Sequence, residues 1–352
     1  MFLSGRRAAV VAAAGVAMLA SAAGAADFKI GGIAVKSGGV GSGYLAVPAK
    51  DGAGTEIPFT VINGAKPGPV LAVVAGVHAF EYPPILALYR LKDTIDPKTL
   101  KGTVLMVHIA NLPSFKRRTI YYGPDDWKNL NRVFPGDLGG TMSQRIAAVI
   151  DREVVKRADA LLDMHCGDGN EALIPYTYWM ISGDKAFDAR TRELALAFGL
   201  PHIIIDDTRG HDLKDSKYLG NTAVLQGKPA ITTEAGFLGR TDEESIARNV
   251  RGVLGVMRHL GMTAAGPGPA TDPVWIDKYE VVYSKHDGLF TPRVEMGYYV
   301  KEGQIVGTIT DYLGQTKEDV KAPFTGILLY VIGTPPCNAG EPLFEVGRVK
   351  EK

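Results

Sequence analysis

The chain has 352 residues, 46% of them hydrophobic and 22% charged, which is enough for one large core with a smaller second domain. Its 39 basic residues nearly balance 38 acidic ones, so it lacks the strong positive field that nucleic-acid binding draws on. Seven histidines are too few for a metal-buffering tract, and two cysteines carry no disulfide framework.

The first residues, 1–25, read as a cleavable signal peptide. Arg6 and Arg7 form a positive start, Ala8 to Ala20 an apolar stretch, and Ala23-Gly24-Ala25 a small-residue cleavage site. An apolar run of about a dozen residues is short for a bilayer span, so the expectation is export to the periplasm or the exterior without stable membrane insertion. Loss of Arg6 and Arg7 leaves 37 basic residues against 38 acidic, a net charge of −1. In an oxidising compartment Cys166 and Cys337 either pair or stay as small buried hydrophobes, and their number does not decide between the two.

From Pro69 onward, short β-branched runs alternate with helical ones, the pattern of an α/β sheet layered by helices. Strands are expected at Val70–Ala75, Val104–Ile109, Ala160–Met164, Ile203–Asp206 and Ala230–Thr233, and helices at Pro84–Thr94, Met142–Arg157, Ala186–Phe198 and Asp242–Leu260. Thr141 with Gln144, and Thr241 with Glu244, have capping-box spacing. The stretch from Asn111 to Gly140 is a long loop without a period, a length that in a compact domain is usually functional. These elements make 26–260 one α/β domain, and the Ala/Gly/Pro-rich residues 261–273 read as a linker.

Residues 274–352 change character to short strands and turns. A weak internal repeat aligns Gly288-Leu289-Phe290-Thr291-Pro292 with Ala322-Pro323-Phe324-Thr325-Gly326, and places Cys337 where Val300 stands, favouring a buried thiol. The tail resembles the barrel-sandwich fold of biotinyl and lipoyl carrier domains. Its hairpin Tyr312-Leu313-Gly314-Gln315-Thr316-Lys317 lacks the modified-lysine motif, so Lys317 is expected to be a plain surface lysine.

Three motifs carry the chemistry: Gly76-Val77-His78-Ala79-Phe80-Glu81, Asp163-Met164-His165 and Thr233-Glu234-Ala235-Gly236. Each falls at the carboxyl end of an expected strand, where open α/β sheets hold ligands. Two imidazoles and a carboxylate leave a coordination position open on zinc for a water, and a second carboxylate beside that water completes a hydrolytic site. Pro83 and Pro84 start a helix directly after Glu81. Asp163 shares a strand face with His165 and can hold the free N–H of that ligand. The plainer alternatives are a buried Asp–His pair without metal and a salt bridge at Glu234. In the long loop, Asn131 and Arg132 set an amide beside a guanidinium, suited to a substrate carboxylate, or Arg132 simply pins the loop.

In this order, Gly-Val-His78-x-x-Glu81, Asn129-Leu130-Asn131-Arg132-Val-Phe-Pro-Gly, Asp163-x-His165 and Glu234-Ala-Gly resemble the succinylglutamate desuccinylase/aspartoacylase family, a branch of the zinc carboxypeptidase fold. The resemblance covers Pro69 to Leu260 and extends to the barrel-like tail. It implies a mixed sheet flanked by helices, zinc bound by His78, Glu81 and His165, Glu234 as general base, and Asn131 with Arg132 on the substrate carboxylate. Two departures stand out. Ala79-Phe80 are bulkier than the family's residues there, which points to a bulkier pocket floor, and Ile120 occupies the place of the arginine that polarises the scissile carbonyl, with Arg118 as the candidate substitute. The expected activity is deacylation of an N-acyl amino acid or similar small amide. A zinc carboxypeptidase trimming peptides or cell-wall stems, and a non-catalytic zinc or ligand-binding protein, are the alternatives.

Overall fold

The computed structural model describes residues 25–351, so the signal-peptide residues Arg6 to Gly24 lie outside the described residues. Among those described, no helix is long and apolar enough to cross a membrane.

In chain order the first part comprises β1 (Phe28–Ile30), β2 (Ile33–Val35), β3 (Gly39–Lys50), β4 (Ala53–Asn63), β5 (Lys66–Ala75), α1 (Tyr82–Thr94), β6 (Lys101–Val107), α2 (Leu112–Arg117) and α3 (Met142–Glu153). β7 (Ala160–His165), β8 (Glu171–Leu173), β9 (Tyr176–Met180), α4 (Lys185–Phe198), β10 (His202–Asp206), α5 (Leu219–Leu225), β11 (Ala230–Glu234) and α6 (Glu243–His259) follow. The tail holds β12 (Val274–Tyr283), β13 (Gly288–Pro292), β14 (Tyr299–Val300), β15 (Ile305–Thr310), β16 (Thr316–Lys321), β17 (Gly326–Ile332), β18 (Pro336–Cys337) and β19 (Pro342–Val349).

One mixed sheet of 13 strands organises the molecule, in the order β14, β17, β19, β12, β10, β9, β11, β7, β5, β6, β4, β3, with β8 pairing a separate stretch of β17. Its middle strands are continuous apolar runs because both faces are covered. Along β5, Ala72 and Val74 enter the core under α3 and α5, while Leu71, Val73 and Ala75 enter the core under α1, α4 and α6. Each fully buried aliphatic side chain there contributes about 1.5–3 kcal/mol relative to exposure.

The five expected strands and four expected helices all form, with two corrections at helix ends. The Thr241 capping box does not form: α6 starts one residue later, because Asp242 competes for the cap and accepts from Ser245 N–H at 3.0 Å. α3 stops at Glu153, and Val155–Arg157 continue as one 3₁₀ turn. At the other end of α3, Gln144 Oε1 accepts from Thr141 N–H at 3.0 Å, as expected of a box. The long loop is ordered by α2, by the 3₁₀ turn Leu130–Arg132, and by Asp126, whose carboxylate accepts from Lys128 N–H, Ser143 N–H and Ser143 Oγ. Strands β1 to β4 precede the first element expected from the sequence.

The tail is a two-layer β structure joined edge-on to the main sheet, since β12 pairs in parallel with β10, Ile203 opposite Trp275. One layer is β12, β19, β17 and β14, and the other is β16, β15, β13 and β18. The repeat reads as β13–β14–β15 and β17–β18–β19, and each half lends its short middle strand to the other half's layer: β14 pairs β17, and β18 pairs β13. Val300 and Cys337, matched by the repeat, are both buried in the tail core. Cys166 and Cys337 are free thiols, and Lys317 is exposed on β16. The stretch 261–273 packs against the first part, with Met262 fully buried and Ala270 N–H donating to Leu196 O.

Candidate metal centre

His165 and Glu234 are the last residues of β7 and β11 and lie opposite each other in the parallel register. β5 runs beside β7, and His78 follows it after a glycine in left-handed conformation, Gly76 at φ 70°. Glu81 is the N-cap residue of α1, but its side chain caps nothing. Instead Oε1 lies 2.8 Å from His78 Nδ1 and Oε2 lies 2.8 Å from His165 Nδ1. Cys166 N–H donates to Oε2 at 3.2 Å. One donor atom from each of these three residues lies within 4.8 Å of the other two.

The outer nitrogens explain the arrangement. His78 Nε2 sits 3.0 Å from Asn129 Oδ1 and His165 Nε2 sits 3.0 Å from Asp163 Oδ1, so both are committed as N–H donors. In a neutral ring that leaves Nδ1 as a lone pair, which cannot donate to Glu81. Two lone pairs and a carboxylate converging on one point are the donor set of a divalent cation, and the outer-shell acceptors are those that orient metal-binding histidines. Without a cation the charge must be carried by the rings. Burial lowers the His165 pKa, but the Glu81 and Asp163 carboxylates outweigh it and hold the imidazole well above its ordinary range. Burial likewise raises Glu81, and His165 and His78 overcome it to keep the carboxyl low.

Glu234 differs from Glu81 in that compensation falls short. Its Oε2 is buried without a hydrogen-bond partner, and burial, with Glu81 and Glu171 adding to it against His165, pushes its carboxyl well up. A carboxyl that holds and releases a proton beside a metal site is what general acid–base work needs.

These groups open into a cavity of about 690 Å³. The long loop brings Tyr121, Asn129, Asn131 and Arg132 to it. Asn131 is held by its Oδ1, which accepts from Leu219 N–H at 2.9 Å. Arg132 Nη1 donates to Asn131 O at 2.8 Å, its guanidinium lies 4.6 Å from the Tyr218 ring centroid, and no carboxylate pairs with it among the described residues. Arg209 covers the same ring at 3.9 Å and pairs with Asp206. Two guanidiniums on one phenol make a cationic wall suited to a carboxylate. The tail closes the opposite side with Tyr279, Tyr283, Tyr330 and Glu345. A shallower hollow of about 590 Å³ beside β1 and α3 contains no histidine, and its Arg152, Arg157 and Glu153 pair with one another.

The structure thus brings together His78, Glu81, His165, Glu234, Asn131 and Arg132. It does not bring Arg118. That residue is the exposed C-cap of α2, held in the left-handed region at φ 58°, and it does not line the cavity. Phe80 does not form the cavity floor either: its ring packs beside Tyr82 and over Gly169 and Gly239, where a Cβ would come within 3 Å of it. From the segment around Ile120, Tyr121 and Tyr122 reach the cavity; Tyr121 has φ 58°, its N–H donates to Asp168 Oδ2 at 3.1 Å and its ring lies edge-on to His78 at 5.8 Å. Asp168, buried beneath it, is pushed up to about 7 by burial and then by Glu81. Sequence reasoning missed Arg209, Tyr121 and Glu345. Arg209 had a signal, standing three residues past Asp206 at the carboxyl end of an expected strand.

Three donors gathered at the carboxyl edge of the sheet, a carboxylate set beside them and an aromatic-lined cavity define a hydrolase-type α/β site. Residues 67–260 match the succinylglutamate desuccinylase/aspartoacylase catalytic domain, and the chain belongs to that family. It is 30% identical over 326 residues to the N-alpha-acetyl-L-2,4-diaminobutyric acid deacetylase of Halomonas elongata, covering 89% of this chain and 93% of that one. Among solved structures it is similar to the product-bound ectoine utilization protein EutE of Ruegeria pomeroyi, with a TM-score of 0.79, 27% identity and coverage of 90% and 97%. A succinylglutamate desuccinylase/aspartoacylase from Rhodobacter sphaeroides gives a TM-score of 0.77 at 27% identity, covering 88% of this chain and 96% of that one.

Proposed function

We propose that this protein is a zinc-dependent hydrolase that removes the acyl group from an N-acyl amino acid. The observation that carries the proposal is the convergence of His78 Nδ1, Glu81 and His165 Nδ1 beside the unpartnered Glu234 Oε2. Two nitrogens and a carboxylate, with room for a fourth ligand, suit zinc among the common divalent ions. A bound zinc ion supplies a water of lowered pKa and polarises the acyl carbonyl.

The protein's own groups do the rest. Arg132, with Arg209 behind the shared Tyr218 ring, binds the substrate carboxylate and fixes the amide over the centre. Glu234 Oε2 takes the proton from the attacking water and returns it to the leaving amine nitrogen. Asp163 and Asn129 keep both imidazoles in one tautomer and orientation. The tail walls one side of the cavity, which favours a small amide over a peptide or a cell-wall stem. The name of the Halomonas relative makes N-acetyl-2,4-diaminobutyrate the first compound to assay. We further propose that the mature chain begins near Ala26 and acts in the periplasm or outside the cell, which amino-terminal sequencing of protein from a periplasmic extract checks.

The test is mass spectrometry of a pooled set of N-acyl amino acids and short peptides incubated with zinc-loaded protein, with Glu234→Ala as control. Acyl release by the wild type alone is expected. Loss of C-terminal residues would make the protein a carboxypeptidase, and no turnover of any amide with zinc tightly bound would make it a binding protein, with Ile120 as the reason.

A further inference from the structure

We infer that the cavity selects acyl amino acids whose side chain ends in a free ammonium group, and that Glu345 of the tail is the residue that recognises it. The inference rests on the deacylase reading for the reaction, but stands on different residues.

The cations of the cavity are confined to one part of the chain. Lys128, Arg132 and Arg209 all come from the first part, whereas the tail contributes phenols, aliphatic groups and a single charged residue, Glu345. Glu345 sits in the middle of β19, fully buried, where a carboxylate is costly without a counter-charge. Among the described residues no Lys, Arg or His forms an ion pair with it, and Arg209, whose charge does act on it, is committed to Asp206. Its hydrogen bonds are two long ones from phenols, Tyr176 at 3.3 Å and Tyr178 at 3.5 Å. Burial therefore pushes its carboxyl up to about 8, the state of an acid waiting for a cation.

The surroundings suit an ammonium group. Tyr176, Tyr178, Tyr279, Tyr283 and Tyr330 all line the same cavity, and aromatic faces attract cations that have left water. Tyr178 already does so, with the Arg209 guanidinium 5.3 Å from its ring centroid. Glu171, on β8 between the centre and the tail, adds a second carboxylate to this side. A substrate with its carboxylate on the Arg132 side and its amide at the centre directs its side chain to the tail wall. A neutral side chain there would leave Glu345 unpaired, and sites built around a buried polar partner discriminate strongly against ligands that lack it.

The experiment measures binding and turnover separately. Calorimetry with zinc-loaded protein compares 2,4-diaminobutyrate with 2-aminobutyrate, which differ only in the terminal amine, and kinetics compare their N-acetyl forms. The wild type is expected to prefer the diamino compounds by about 10–100-fold. In Glu345→Gln the preference should fall to within about twofold, the loss appearing in KM of the diamino substrate. Glu318→Gln, a tail carboxylate paired with Lys285 on the surface, should keep the full preference. Should Glu345→Gln fail to fold, Glu345→Asp, which withdraws the carboxylate by one methylene, is expected to weaken the preference. Equal binding of the two amino acids by the wild type, or a preference that survives Glu345→Gln, overturns the inference and leaves the deacylase intact. Selective binding of the diamino acid with no acyl release upholds the inference and removes the deacylase.

Discussion

The two walls of the cavity are built on opposite plans. On the metal side each of the three candidate ligands is answered within a few ångströms: Glu81 by two histidines, His165 by Asp163, His78 by Asn129. On the tail side Glu345 has only phenols. The candidate ligands of the first wall are oriented by their own hydrogen bonds before a substrate arrives, as positioning of a reaction demands. The second holds a polar group short of a partner, so the ligand supplies what is missing. On the two proposals above, chemistry and selectivity are separated in the chain, one near the ends of β5, β7 and β11 and the other on β19.

Four experiments break or sharpen that contrast. The largest effect is expected for Glu234→Gln, which removes the proton carrier and should lower kcat by about 10²–10⁴-fold. Zinc content by elemental analysis should stay at the wild-type level, and loss of the metal would assign Glu234 to the ligand set instead. Next, Asp163→Asn leaves His165 in place but weakens its orientation, and competition with a chelator should show zinc affinity reduced by about 10–100-fold. An unchanged affinity would mean the metal wall is less tightly built than its hydrogen bonds indicate.

The third prediction concerns pH. Glu345 has a folded-state pKa raised to about 8 by burial, above that of a carboxyl in the unfolded chain. Its contribution to stability is therefore fully present below the unfolded value, near 4.3, and is lost as pH rises through about 8. Glu345→Gln should melt at a higher temperature than the wild type at pH 8.5, with the difference shrinking toward pH 5 in differential scanning calorimetry. A difference that grows on acidification would show that Glu345 is ionised and paired. The smallest effect belongs to Lys317→Gln. An exposed lysine with no site around it should leave melting temperature and turnover unchanged, and the intact mass of the wild type should show no modification there.

The metal wall was legible in the sequence because its signals are short: a histidine or glutamate directly after an apolar strand, with its neighbours fixed by a glycine or a proline pair. The tail wall was not, because Glu345 meets Tyr176 across 169 residues and nothing in Pro342-Leu343-Phe344-Glu345 says which sheet edge it will face. Arg118 was expected at the site by its distance from Ile120, but the left-handed turn at the end of α2 places it outside the cavity, and Tyr121 lines the cavity in its stead. At α6 the local rule was right and the residue wrong, since Thr241 and Asp242 are both good caps and only the observed bond to Ser245 separates them.

The order of strands in the tail bears on when the enzyme becomes whole. β19 is synthesised after β12 and β17 but lies between them in the sheet, pairing with both. A growing chain that has not reached Pro342 has two strands awaiting a common neighbour, and its cavity stands open on one side. The exchange of β14 and β18 between the two halves makes the tail equally incomplete until both halves exist. On the inference above, selectivity is the last property the chain acquires as it is made, and a chain truncated before Pro342 should bind zinc yet fail to distinguish diamino from monoamino acids.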